Sequence, residues 1–175
     1  KGLDSSQFDE NRRKGENDSM ISSFIRNDSV SEFNIYLTKT NLPLSSHIHD
    51  SIFESNSILN EKVPTLIEYA MFYGSIQIVK YLSFNQVELN PSLWIYGIHS
   101  DNPEIIHFLE ENNVKPPKGE YLECLLQSIE CHHNEISEYI NDQLLTSEKA
   151  VDSTIEKDIS SFDFSEMPSE IDNQF

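Results

Sequence analysis

The chain has 175 residues, 37% of them hydrophobic, and sets 12 basic side chains against 30 acidic ones for a formal charge of -18. That length and apolar content suit one folded unit with a modest core. Such a charge repels phosphate backbones and anionic lipid. The tightest basic cluster, Arg12-Arg13-Lys14, is flanked by Glu10 and Glu16, so neither nucleic acid nor membrane is expected as a partner. No run of eighteen apolar residues could span a bilayer, and no apolar stretch near Lys1 resembles a secretory leader, which points to a soluble, cytoplasmic protein.

Residues 1 to 18 are rich in Ser, Asn, Asp and Glu and lack sustained apolar periodicity. They bury too little to offset chain entropy and are expected to be disordered. The folded domain is expected over residues 19 to 145. It opens with a faint unit whose Phe24, Phe33 and Tyr36-Leu37 recur later as Tyr69, Ile78 and Tyr81-Leu82. Next, "LSSHIHDSIFESNSILNEKV", residues 44 to 63, places Ile48, Ile52, Phe53, Ile58 and Leu59 as an additional amphipathic helix would.

The clearest copies follow. "PTLIEYAMFYGSIQIVKYLSFNQVEL" and "PSLWIYGIHSDNPEIIHFLEENNVKP" superpose at a shift of 27, with Leu66 on Leu93, Tyr69 on Tyr96, Ala70 on Gly97, Ile78 on Ile105 and Leu82 on Leu109. A further shift of 31 sets Ser128 on the small position, Ile136 on Ile105 and Ile140 on Leu109. Self-similarity at such a period is the mark of stacked repeats. Each copy reads as two short helices. The first starts at Thr65, Ser92 or near Glu120, after a proline and with Thr or Ser as cap. The turn carries Gly74, Asp101-Asn102-Pro103 or His133-Asn134. The second helix, Ile76 to Phe84 or Glu104 to Glu111, shows one apolar stripe and ends at Asn85, Asn112-Asn113 or Asn141. A glycine inside a helix costs about 1 kcal/mol against alanine. The small slot at Ala70, Gly97 and Ser128 therefore predicts a close approach, by the second helix of the same repeat or by the neighbouring first helix. Trp94, aligned with Ile67 and Leu125, is a core position. Residues 146 to 175 are expected to form an acidic, largely disordered tail. Within it Ile155, Ile159 and Phe162 could add a helical turn or two, and "SSFDFSEMPSEI" resembles a short linear motif that folds on a partner.

These residues resemble the ankyrin repeat, T-P-L-H-x-A-A-x-x-G-H-x-E-I-V-K-x-L-L-x-x-G-A-D. The match lies at Thr65, Ile67, Ala70, Gly74, Ile78, Val79, Lys80 and Leu82, with Asn85 before the closing-Gly position. Glu68, Ile95 and Leu126 replace the consensus His, and Gln86 and Asn113 replace the closing Gly. The 27-residue period implies β-turn fingers that are shortened or absent. Strings such as "SIFESNS", "LIEYA", "FYGSIQIVKYL", "PSLWIYGIH" and "NPEIIHFLEE" are similar to those of a degenerate ankyrin-like family of unassigned function expanded in parasitic protists. The resemblance implies an all-α solenoid of about four helix-pair repeats over residues 20 to 141 and says nothing of an activity.

No phosphate-cradling or nucleophile-elbow motif occurs, and no catalytic residue, cofactor or metal is expected. The best chemical cluster is "CLLQSIECHHNEISE", with Cys124, Cys131, His132 and His133 beside Glu130 and Glu135. It lacks the paired spacings of closed zinc sites, as does "SHIHD" with His47, His49 and Asp50. Cys124 and Cys131 lie about 10 Å apart along one helix, beyond disulfide reach. The sequons at Asn17 and Asn27 would matter only in a secreted protein. The remaining resource is surface. By register the exposed, concave face of the first helices carries Tyr69, Phe72, Tyr73, Tyr96, His99, Ser100, Gln127 and Glu130 as candidate partner contacts. Should Glu104, Glu110, Glu111, Glu123 and Glu130 gather on one side, a basic partner would suit them. The expected function is non-catalytic protein binding or scaffolding. The competing readings are a metal protein or hydrolase using Cys131, His132 and His133, and a purely structural segment of a longer repeat array.

Overall fold

The computed structural model describes residues 5 to 147. It is all-α, with helices α1 (Ser5–Lys14), α2 (Met20–Arg26), α3 (Val30–Thr40), α4 (Ser57–Lys62), α5 (Leu66–Phe72), α6 (Ile76–Phe84), α7 (Leu93–His99), α8 (Pro103–Glu111), α9 (Leu122–Glu130) and α10 (Asn134–Tyr139). A 3-10 turn, Pro117–Gly119, precedes α9, and α10 runs on into a wider π-type turn, Ile140–Leu145. Among the described residues no strand forms, and one antiparallel bridge joins His47 to Thr65. No helix among them is long and apolar enough to cross a membrane.

Four helix pairs, α2/α3, α5/α6, α7/α8 and α9/α10, carry the fold, each pair packed on itself. Local chemistry sets where they start. Thr65 Oγ1 accepts from Glu68 N while Glu68 Oε2 accepts from Thr65 N at 2.8 Å, a reciprocal cap that satisfies two otherwise orphaned donors. Asn102 Oδ1 accepts from Glu104 N, with Pro103 in the first helical turn, where its missing N–H does no harm. Where each pair folds back, one residue takes the left-handed conformation: Asp28 (φ 49°), Gly74 (67°), Asp101 (50°) and His132 (61°). At three of these turns the next N–H reaches five residues back, Ser29 to Phe24, Ser75 to Ala70 and His133 to Ser128, closing the helix end. The second helices close over Asn41, Gln86 and Asn113, also at positive φ, so the two residues standing at the closing-Gly position of the repeat adopt the glycine-like conformation.

The first helices lie side by side in the order α2, α5, α7, α9. One core runs through them from Ile21 to Ile140 and includes the fully buried Trp94, whose Nε1 donates to Val114 O at 2.8 Å. The small slot faces the second helix of its own pair: a Cβ on Gly97 would stand 2.8 Å from Ile105 Cγ2 and 3.3 Å from Leu109 Cδ1. Successive pairs are also bonded at their turns. Asp28 accepts from Gln77 N and Ile78 N at the start of α6, Ser75 Oγ donates to Ile25 O, Asn102 Nδ2 donates to Gly74 O, and His133 Nδ1 lies 3.1 Å from Asp101 Oδ1.

Four expectations need correction. Residues 5 to 14 form α1 rather than a disordered lead. Phe8 meets Phe53 edge-on at 5.3 Å, and Ser55 donates twice to Gly15 O. Residues 44 to 63 are helical only over Ser57–Lys62. The rest is an irregular strap whose Ile48 N donates to Pro64 O and whose Ser46 O accepts from Leu66 N, which leaves Ile52 outside at 85% exposure. The last pair does not end at Asn141, since the π-type turn carries it on to Leu145, which is buried. In the upstream copy the turn stands opposite Ala70 and Gly74 through Phe24 and Asp28, so Phe24 aligns with Ala70, not Tyr69. The stretch from Asp28 to Asn41 is one residue longer than that from Gly74 to Gln86, which explains why a single shift cannot match both ends. The tail expectations, including the motif from Ser160 to Ile171, lie outside the described residues.

Gly97→Ala should lower stability by about 1 kcal/mol in chemical denaturation. Overpacking against stiff Ile105 costs about 1–3 kcal/mol and outweighs the helix-propensity gain. Asp28→Ala loses the cap on α6 and strains a left-handed backbone, for about 2 kcal/mol. Asp28→Gly should lose only the cap, about 1 kcal/mol. Equal losses for the two Asp28 variants would refute this division.

Candidate functional site

The last residue of each first helix occupies an equivalent place, directly after Ile25, Met71, Ile98 and Ile129, so stacking sets Arg26, Phe72, His99 and Glu130 along one edge. Tyr73, Ser100 and Cys131 follow them in α5, α7 and α9. The chemistry along this edge is continuous. The Arg26 guanidinium lies 5.8 Å from the Tyr73 ring centre and donates to Tyr69 Oη at 2.8 Å and Asn17 O at 2.9 Å, with Glu16 3.1 Å from its Nε. Tyr73 packs on Tyr69 and Phe72 at 4.8 and 5.1 Å between centroids. Phe72 stacks on His99 at 5.3 Å with planes 25° apart, and His99 Nδ1 stands 3.3 Å from Cys131 Sγ. Gln127 Nε2 closes the series, donating to Cys131 Sγ and to Glu130 Oε2.

Six of the eight expected contact residues thus belong to one strip: Tyr69, Phe72, Tyr73, His99, Gln127 and Glu130. Their exposure differs. Phe72, Tyr73, His99 and Gln127 are half-buried and Glu130 is exposed, while Tyr69 is buried and shows a partner nothing but its neighbours. Tyr96 is also buried. It lies apart from the strip because its ring fills the core between pairs, and Ser100 serves the turn by donating to Gly97 O and accepting from Asn102 N. Arg26 and Cys131 belong to the strip yet were not among the expected contacts. Arg26 could have been found as a basic residue at the helix end equivalent to Phe72 and His99, had the upstream register been correct.

Burial tunes the strip toward neutrality. Desolvation pushes the Tyr73 hydroxyl well above its ordinary pKa, with Tyr69 and then Glu54 adding to it, and it lifts Tyr96 to about 12. Burial also holds His99 below the usual histidine range, helped by His133 and Lys62, and raises the Cys131 thiol. The pair rests as thiol and neutral imidazole. A nucleophilic cysteine needs the reverse, a lowered thiol beside a protonated base.

The other chemical candidates do not converge. No disulfide joins the two cysteines, Cys124 being buried within α9. His132 is exposed at its left-handed turn, while His133 faces Asp101. His47 bridges to Thr65, and the His49 carbonyl accepts from Asn17 Nδ2. Among the described residues no group of three His, Cys, Asp or Glu side chains could hold a metal ion. Of the acidic residues, Glu110 accepts from Tyr139 Oη and Glu123 pairs with Lys118 at 3.1 Å. An open polar cleft of about 570 Å³, lined in part by Gln7, Lys14, Asp18 and Asn27, adjoins the strip at Arg26. No protein-family model, curated protein or solved structure matches the chain.

The depressed His99 pKa sets a pH dependence. The unfolded chain takes up a proton at an ordinary value of about 6.5 and the folded chain only below it, so this contribution is full above about 6.5 and is lost as pH falls toward the folded value. His99→Gln should therefore show a shallower loss of melting temperature between about pH 7 and pH 5 than the parent. Parallel slopes would remove His99 as a source of acid sensitivity.

Proposed function

We propose that the chain is a non-catalytic protein-binding module, built from shortened ankyrin-like repeats, that engages its partner through the strip from Arg26 to Glu130. The observation that carries this reading is continuity. Four helix pairs each place the last residue of their first helix on one edge, and those residues are linked, through Tyr73, Cys131 and Gln127, into a single series of aromatic rings, an imidazole and charged ends. Tyr and Arg are favoured anchors, Tyr because it combines large contact area with few rotatable bonds and Arg because its planar guanidinium offers several donors, and rings already packed on one another lose little freedom when a partner arrives.

The repeat reading is supported by the same recurrence. Left-handed residues stand at Asp28, Gly74, Asp101 and His132, and a tie to the next unit replaces the missing consensus histidine: Glu68 Oε1 accepts from Ser92 Oγ at 2.5 Å across to α7. A formal charge of -18 favours a partner segment that carries basic residues and speeds its approach at low salt. Neutral Cys131 and His99 are better suited to packing and hydrogen bonding than to bond cleavage.

The test is affinity capture from the source cell, followed by titration with the captured partner. Tyr73→Ala and His99→Ala should each weaken binding about tenfold or more. Phe84→Ala, at a side chain 87% exposed on α6 and away from the strip, should leave it unchanged. Equal binding by all three would retire the strip as the contact face.

A further inference from the structure

The flank of α9 is built like a surface meant to be covered. Three residues before each left-handed turn stand Ile25, Met71, Ile98 and Ile129. The first three are 0% exposed, each in a first helix with another packed against it on the downstream side, whereas Ile129 is 52% exposed. Leu126 and Leu122, three and seven residues before it, lie on the same helical face at 54% and 51%. Among the described residues no helix occupies that side of α9. An apolar stripe at this spacing is a packing face, and isolated exposed leucines would not repeat the register of a buried position.

We infer that the chain's own segment Ile155 to Phe162 covers this flank and closes the row where a fifth first helix would stand. The sequence supplies a matching stripe: Ile155, Ile159 and Phe162 are spaced by four and three residues, as are Leu122, Leu126 and Ile129. The tether has the right length. Residues 85 to 92 join α6 to α7 and residues 112 to 121 join α8 to α9, so eight and ten residues serve elsewhere; Thr146 and Ser147 still continue the last helical turn, and residues 148 to 154 supply seven here. A segment on so short a tether is present at an effective concentration of the order of millimolar, which a separate copy of the chain cannot match. The proposal goes beyond the binding strip and does not depend on it.

Hydrogen exchange of the intact 175-residue chain tests it against the variant Ile155→Asp/Ile159→Asp/Phe162→Asp, with Ser153→Asp/Thr154→Asp/Ser160→Asp as a control for added charge. Amides of α9 should exchange about tenfold faster or more in the first variant, and at the parental rate in the control, with α5 and α7 alike in all three. Unchanged α9 exchange would overturn the proposal, as would equal acceleration by the control. Protection of α9 that fades on dilution as a doubled mass halves would assign the flank to a second copy instead. Should α5 and α7 loosen as well, crosslinking decides: Leu126→Cys with Ile159→Cys, in a Cys131→Ser background, forms an intramolecular disulfide under mild oxidant only if the segment lies on α9.

Discussion

Seven residues make fewer than two full turns of helix, and α2, α5 and α7 are each that short. Alone in water such segments would not hold together, because nucleation costs more than so few hydrogen bonds return. Their stability must come from burial of Ile25, Met71 and Ile98 between one first helix and the next, and of Ile78, Ile105 and Leu109 beneath them. Side-by-side contact between neighbours is therefore the constraint that everything else obeys. It explains why the slot at Gly97 must stay small, since a branched neighbour on α8 already fills it, and why each turn commits a side chain to an adjoining pair.

The same constraint makes the strip. Helices that end at equivalent places and lie in one row bring the residues around their ends near one another, as Phe72 and His99 are, so the fold supplies the alignment and the sequence supplies the chemistry. Arg26 has its charge answered by Glu16 at Nε and its Nη1 donors by Asn17 and Tyr69, which lets a cation sit largely covered beside aromatic rings. At the other end the imidazole and thiol settle as neutral groups because both are half-buried. What results is a preorganised surface whose polarity runs from a guanidinium to a carboxylate.

Much of this was legible in the sequence. Helices α5 to α8 are readable from apolar spacing, a proline or hydroxyl cap and a breaker at the turn, and α6 spans the residues that its periodicity indicates. The slot at Ala70, Gly97 and Ser128 signalled a close approach because glycine inside a helix has an energetic cost that something must justify. What could not be read were features that depend on distant partners. Ile48 and Phe53 are apolar for a helix-like reason but are held in an irregular strap by backbone bonds to Pro64 and by Asn17, none of which periodicity can reveal. Residues 5 to 14 are polar enough to look unstructured and depend on Phe8 finding Phe53. Tyr69 and Tyr96 carry the look of contact aromatics, and only the packing of adjacent pairs decides that they are core.

The ties between pairs run between immediate neighbours at each turn: Asp28 to the start of α6, Asn102 to Gly74, His133 to Asp101. None of them requires a particular number of units. Each tie has its own chemistry, a carboxylate on helix N–H groups, an amide on a carbonyl, an imidazole on a carboxylate. A pair could therefore be gained or lost during evolution only where its new neighbours supply the matching group, and the edge would lengthen or shorten with it.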